Sequence, residues 1–160
     1  LFPYTTLFRS AHFEDKEHLV EAAFTVALDQ MSLLMEEAAA GLTGVAAVRA
    51  VADAYLSEEH RDALEAGCPL PAMCAESAVN DGATNRNLLA EGIATLARRV
   101  RSVAPGLLGD AEALAFVEVL VAGQILARAL RGHTLSDQVL ADHRRRADQL
   151  IGAAGSGVRR

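Results

Sequence analysis

Few side chains in this sequence stand at spacings that could do chemistry. Asp15 and His18 are three apart, where one helix face can offer a carboxylate and an imidazole to a di-metal bundle. No second Asp/Glu-x-x-His and no isolated inward Glu pair completes such a site, so neither a metal nor another cofactor is expected. Ser57-Glu58-Glu59-His60 mixes a hydroxyl, acids and an imidazole, but reads better as a capped helix start. No glycine-rich phosphate loop, nucleophile elbow or His-Glu-x-x-His run appears, and the expectation is a protein that is not an enzyme.

Two cysteines, Cys68 and Cys74, are too few for a disulfide scaffold and match no zinc pattern. Both flank a helix start, where the dipole can lower a thiol pKa, so Cys68 is read either as an electrophile or redox sensor or as a small apolar turn residue. Phe24, Met31, Met35, Tyr55, Met73 and Phe116 are of the types that line a pocket for a small apolar or amphipathic effector, or that simply fill a core. Ser77, Asn80 and Gln124 are polar residues among apolar neighbours, and one of them could point at such a ligand.

These residues need a scaffold, and composition bounds it. At 160 residues the chain is one domain, able to bury roughly 70% of its unfolded surface. With 51% hydrophobic residues, rich in Ala and Leu, it favours helices. No apolar run reaches the ~20 residues a membrane helix needs, so no membrane partner is expected. A net charge of −6 argues against nucleic-acid binding by this chain alone. The basic runs Arg98-Arg99-Arg101 and Arg144-Arg145-Arg146 are expected to face solvent near helix C-terminal halves.

The pattern predicts an all-α bundle of six to seven helices and no strand. Asp15 caps a first helix from about Lys16 to Ala40, with Val20, Phe24, Ala27, Met31, Leu34 and Ala38 as its apolar stripe, stopped by Gly41. A second spans about Val45–Leu56, with Arg49 and Asp53 on its outer face. Ser57 caps a third, Glu58–Ala66, ended by Gly67 acting as a C′ glycine. Pro69 and Pro71 open a fourth reaching about Val79. Thr84 or Asn85 caps a fifth that ends before Pro105; Asp110 caps a sixth, Ala111–Arg131, closed by Gly132; Ser136 caps a seventh, Asp137–Ile151. The tail 152–160 is expected to be disordered.

The sixth helix is apolar almost all round and must be covered on more than one side. Core and subunit interface are the two ways to cover it. Val117, Val121, Ile125, Val139 and Leu150 supply the apolar surface, and Gly123 would permit a close crossing at a two-fold axis.

The run His12-Phe13-Glu14-Asp15-Lys16-Glu17-His18-Leu19 resembles the H-F-x-(S/T/D)-K-E-x-L junction of TetR/AcrR-family transcriptional regulators, where the helix-turn-helix meets a long connecting helix. Gly67-Cys68-Pro69-Leu70 is similar to a G-C-P-L turn of one branch, and Leu114–Leu130 with Leu135-Ser136-Asp137 resembles the family's last two helices. The resemblance covers roughly His12 to Ile151. It implies a ligand-sensing and dimerisation domain (12–151), a cytoplasmic homodimer through the last two helices, and a repressor released by a small molecule. Operator DNA is implied only for the intact protein, with His12 and Lys16 as what remains of its phosphate contacts. Residues 1–10 fit no helix-turn-helix and resemble translated sequencing-adapter read-through, and residues 1–11 are expected to be non-native or disordered. The alternative is a helical protein-interaction module, or a thiol-based regulator acting through Cys68.

Overall fold

A computed structural model describes residues 15–65, 67–79 and 83–157, apart from the side chains of 16, 83, 84 and 156. His12, Asn80 and residues 1–11 lie outside them, as does the side chain of Lys16. The protein is all-α: among the described residues there are seven helices and no strand. They are α1 (Lys16–Ala39), α2 (Gly44–Tyr55), α3 (Glu58–Asp62), α4 (Leu70–Val79), α5 (Ala83–Val103), α6 (Asp110–Ala129) and α7 (Thr134–Gly157). None of the described helices is long and apolar enough to cross a membrane.

Local chemistry sets where the first helices begin and end. Asp15 caps α1, its Oδ1 accepting from the His18 N–H at 3.0 Å, and this bond holds the carboxyl below its usual range. Gly41, at φ +73, carries the chain out of α1 in the left-handed conformation that a side chain would oppose. The buried stripe of α1 is Phe24, Leu28, Met31, Met35 and Ala39, with Ser32 beside it. Val20, Ala27, Leu34 and Ala38 are only half-buried, so the core face is rotated from the predicted stripe. Two apolar stripes compete on this helix, and the one that meets α2 and α5 wins. On α2 the sequence pattern puts Val45, Val48, Val51, Ala52 and Tyr55 on one face; all but the half-buried Val45 are buried, and Arg49 and Asp53 face outward.

Helix α2 sits between α1 and α7 and touches α5, while α6 packs on α7 and α5 and also meets α3 and α4. Their shared interior is one apolar core running through Val48, Val51, Leu96, Val100, Phe116, Leu120, Leu140, Ala147 and Ile151. Each fully buried Val, Leu, Ile or Phe among them contributes roughly 1.5–3 kcal/mol relative to exposure, and Ala147 less.

Several predicted boundaries are corrected. Helix α3 stops at Asp62, because the following chain turns back so that the Cys68 N–H reaches the His60 ring. Gly67 is therefore no helix terminator. A Cβ there would collide with Arg128 Nη2 and stand 2.7 Å from the Ala63 carbonyl, so close approach requires the glycine. Asp110 is the first residue of α6 rather than its cap, which is Gly109; its carboxylate pairs with Arg101 instead. Ser136 lies inside α7. Its buried Oγ donates at 2.8 Å to the Ala127 carbonyl, one of the orphan acceptors at the end of α6, and accepts from Arg61 Nη1 at 3.1 Å. Helix α7 continues to Gly157, into the stretch expected to be disordered. Half-buried Ala154 packs on the core, and a Cβ on Gly155 would stand 3.4 Å from Val45 Cγ2.

Candidate functional site

The polar residues worth explaining are those the apolar core has enclosed. Helix α2 ends at Tyr55, so the Tyr55 carbonyl is among the acceptors left without an intrahelical partner. Two side chains complete it: His60 Nδ1 at 2.6 Å, and Gln124 Nε2 from α6. Both Tyr55 and Gln124 are 0% exposed. The His60 ring stands edge-on to the Tyr55 ring, with centroids 4.6 Å apart.

These bonds fix the state of His60. The Cys68 N–H can only donate, and it reaches His60 Nε2 at 3.0 Å, so that nitrogen holds its lone pair. Nδ1 then carries the proton and donates to the Tyr55 carbonyl. Burial pushes the His60 pKa down, the Tyr55 hydrogen bond partly opposes this, and the nearby Arg128 charge lowers it further. His60 is accordingly a neutral, buried imidazole that locks the turn from α3 to α4.

Arg128, one turn beyond Gln124 on α6, reaches the same region. Its Nη1 and Nη2 donate to the carbonyls of Cys68 (3.3 Å) and His60 (3.1 Å). Its Nε is buried without an acceptor, and no carboxylate among the described residues pairs with it. A second interior arginine differs. Arg61 is bonded to Asp62 through Nε and Nη2, to Asp137 at 2.6 Å and to Ser136, which raises its pKa.

Among the described residues, four buried side-chain polar atoms lack a well-formed hydrogen bond: Gln124 Oε1, Arg128 Nε, Ser77 Oγ and the Tyr55 hydroxyl, which has only the Cys68 sulfur, a weak partner, beside it. Each unpaired group costs about 1–3 kcal/mol when buried, and three of the four, on Tyr55, Gln124 and Arg128, belong to one cluster, which packing alone does not select. The assignment of Gln124 is unambiguous, since only its NH₂ can serve the Tyr55 carbonyl and Oε1 is thereby left free.

Of the sequence-predicted pocket residues, the structure brings Tyr55 and Gln124 together in this cluster. Met31, Met35, Met73 and Phe116 are buried in the apolar core. Phe24 lies instead at the junction of α1, α4 and α5, where a Cβ on Gly92 would stand 2.8 Å from Phe24 Cζ and 2.9 Å from Leu70 Cδ2. Ser77 is half-buried on α4 with its hydroxyl oxygen enclosed. Sequence reasoning missed His60 and Arg128 as members. Arg128 had left a signal, as a charge four residues after Gln124 on an otherwise apolar helix.

Cys68 sits at this cluster but lacks the environment of a sensor. It is 2% exposed, and burial raises its thiol pKa more than Tyr55, the Leu70 N–H and Arg128 lower it; burial raises Cys74 too. Burial, followed by the neighbouring Cys68, also holds Tyr55 well above the usual phenol range. The thiols and the phenol are therefore protonated at neutral pH, which argues against a reactive Cys68. No group of three or more His, Cys, Asp or Glu residues is placed to hold a metal among the described residues.

The expected dimer surface needs correction. Val117 is 1% exposed, and Gly123 faces inward, where a Cβ would stand 2.7 Å from Leu56 Cδ2 and 2.9 Å from His143 Cγ. Both belong to the chain's own core, as does Val121, while Ile125, Val139 and Leu150 are half-buried against it. The outer face of α6 is a different strip: Leu114, Glu118, Ala122 and Leu126, four apart and all exposed, flanked by Val119 and Ile125. Leu114 and Leu126 are 41% and 47% exposed. No protein-family model matches the chain, and no curated protein matches it.

A shallow cleft of about 290 Å³ lies between α5 and α6, lined by Ala94, Ala97, Arg98, Arg101, Asp110 and Leu114. Its arginines are engaged with Thr95 and Asp110, and its walls are exposed. The arginine runs face solvent much as expected, with Arg99 on Glu36 and with Arg145 and Arg146 on Asp142. Arg144–Arg146 stand in mid-helix, however, because α7 is longer than predicted.

Proposed function

We propose that this chain is the effector-binding and dimerisation domain of a TetR-like transcriptional regulator, a cytoplasmic homodimer that releases operator DNA when a small molecule enters its core. The observation that carries the reading is the enclosed cluster of unsatisfied polar groups around Tyr55, Gln124 and Arg128. Within an otherwise apolar bundle, these are the groups a ligand would complete. The junction-like sequence at Asp15 supports it, since Asp15 caps a 24-residue helix that runs from that junction across the domain.

The packing suggests how occupancy would be transmitted. Cys68, at the cluster, is two residues from Leu70, which stands with Phe24 of α1 over Gly92 of α5. A ligand that displaced the Cys68–Leu70 segment would push on α1, and α1 is the element that the resemblance connects to the DNA-reading heads. Only a ligand with different affinity for the two positions of α1 can shift the balance between them. The dimer would form through the Leu114–Leu126 strip of α6 together with α7.

A thermal-shift screen with small amphipathic compounds tests the ligand-sensing role. A saturable rise in melting temperature, lost in Gln124→Met, is expected. A library in which nothing stabilises the protein would contradict it. The α6 strip also favours a second reading, a helical protein-interaction module. A chain that stays monomeric alone but pairs with a different protein through Leu126 would select that one.

A further inference from the structure

The arrangement of donors and acceptors in the cluster carries information about the ligand itself, an inference that rests on the effector-binding reading above. Two arginines enter the protein interior. Arg61 meets two carboxylates and a hydroxyl. Arg128 meets only two backbone carbonyls, and its buried Nε–H is spare. The Tyr55 hydroxyl, wholly buried, is a second donor with no partner better than the weakly accepting Cys68 sulfur, and Gln124 Oε1 is a spare acceptor one helical turn from Arg128.

The titratable side chains that the structure places beside Tyr55 and Arg128 supply no anion. His60 is neutral, with both ring nitrogens engaged, and Cys68 and Cys74 are protonated through burial. No carboxylate among the described residues forms an ion pair with the half-buried Arg128 guanidinium, whose Nε is itself enclosed.

We propose that the cluster binds the carboxylate of a small organic acid with an apolar body. Its oxygens accept from Arg128 Nε–H and the Tyr55 hydroxyl, and the apolar body lies along the neighbouring core. Charge-assisted bonds of this kind are the strong ones in a low-dielectric site. Gln124 Oε1 adds a refinement. It needs a donor, so an acid carrying a hydroxyl satisfies one more buried group than its plain counterpart.

Titration calorimetry on the full chain at pH 7.5, with matched probes, tests this. The probes are benzoate, 3-hydroxybenzoate and octanoate against the neutral benzamide and octanamide. We expect the acids to bind about ten-fold or more tightly than their amides, with 3-hydroxybenzoate tighter than benzoate. Tyr55→Phe, which removes one oxygen and keeps the ring packing, is expected to weaken the acids by about ten-fold and leave the amides unchanged. Arg128→Lys keeps the charge but loses the Nε–H, and serves as the second variant provided its circular dichroism is native. Amides that bind as well as acids, or acid affinity indifferent to Tyr55→Phe, would overturn the proposed ligand class while leaving an effector site in place. Failure of both acids and amides to bind at millimolar concentration would overturn the proposal together with the effector reading.

Discussion

Replacing Tyr55 by Phe in the ligand-free protein separates a buried group that packing needs from one that is held for a ligand. The residue is 0% exposed, its ring packs edge-on to His60, and its hydroxyl has no partner beyond the weak one offered by the Cys68 sulfur. The substitution keeps every ring contact and removes a single oxygen. Leaving a hydroxyl buried and unpaired costs about 1–3 kcal/mol, so its removal is expected to stabilise the free protein by about 1 kcal/mol. For a domain of this size that is a rise of roughly 2–4 °C in melting temperature. Thermal melts followed at 222 nm, together with urea unfolding at constant m-value, measure it. A loss of about 1 kcal/mol or more would show that the hydroxyl is bonded in the free protein, and the argument from unsatisfied groups would fail with it. A gain in stability at the expense of ligand affinity is the pattern expected of a site kept for function.

Other perturbations follow from the same packing. Burial lowers the His60 pKa below the ordinary 6.5, so the unfolded chain binds a proton more readily than the native one. This contribution to stability is present above about pH 6.5 and is lost as pH falls below it, a slope in the urea midpoint that His60→Gln should flatten. Gly123→Ala gains about 1 kcal/mol of helix propensity but forces a methyl against Leu56 and His143, which costs about 1–3 kcal/mol, and a net loss of stability in urea unfolding is expected. Arg49→Ala breaks the 2.7 Å pair with Asp148 between two exposed side chains, and should leave the urea midpoint nearly unchanged because solvent screens such a pair.

How far the sequence could be read depended on whether a feature is local. Helix starts declared by side chains, such as Asp15 and Ser57, were legible because the bond lies within one turn. Ser136 was misread for the converse reason: its partners, Ala127 and Arg61, come from other elements, and a serine before an acidic residue looks like a cap whether or not it is one. Gly123 and Val117 illustrate the same limit for surfaces. Periodicity says that α6 is apolar all round, but which side meets α7 and which meets solvent is decided by packing, and the outward side is that of Leu114 and Leu126. Tyr55 and Gln124 stood out by residue type, and the structure joins them in one buried polar cluster. His60 did not, because its role is to complete the Tyr55 carbonyl five residues earlier and the Cys68 N–H eight later.

Sedimentation velocity on the wild-type chain and on Leu126→Glu tests the proposed regulator domain most directly. If the α6 strip is a two-fold interface, Leu126 meets its own symmetry-related surface, and a carboxylate placed there is buried without a partner. The account predicts a wild-type dimer at tens of micromolar and a Leu126→Glu monomer of unchanged helicity, since Leu126 is exposed in the protomer and its replacement leaves the core intact. A wild-type chain that sediments as a monomer at that concentration would contradict the dimer, and with it the reading of this domain as half of a TetR-like regulator.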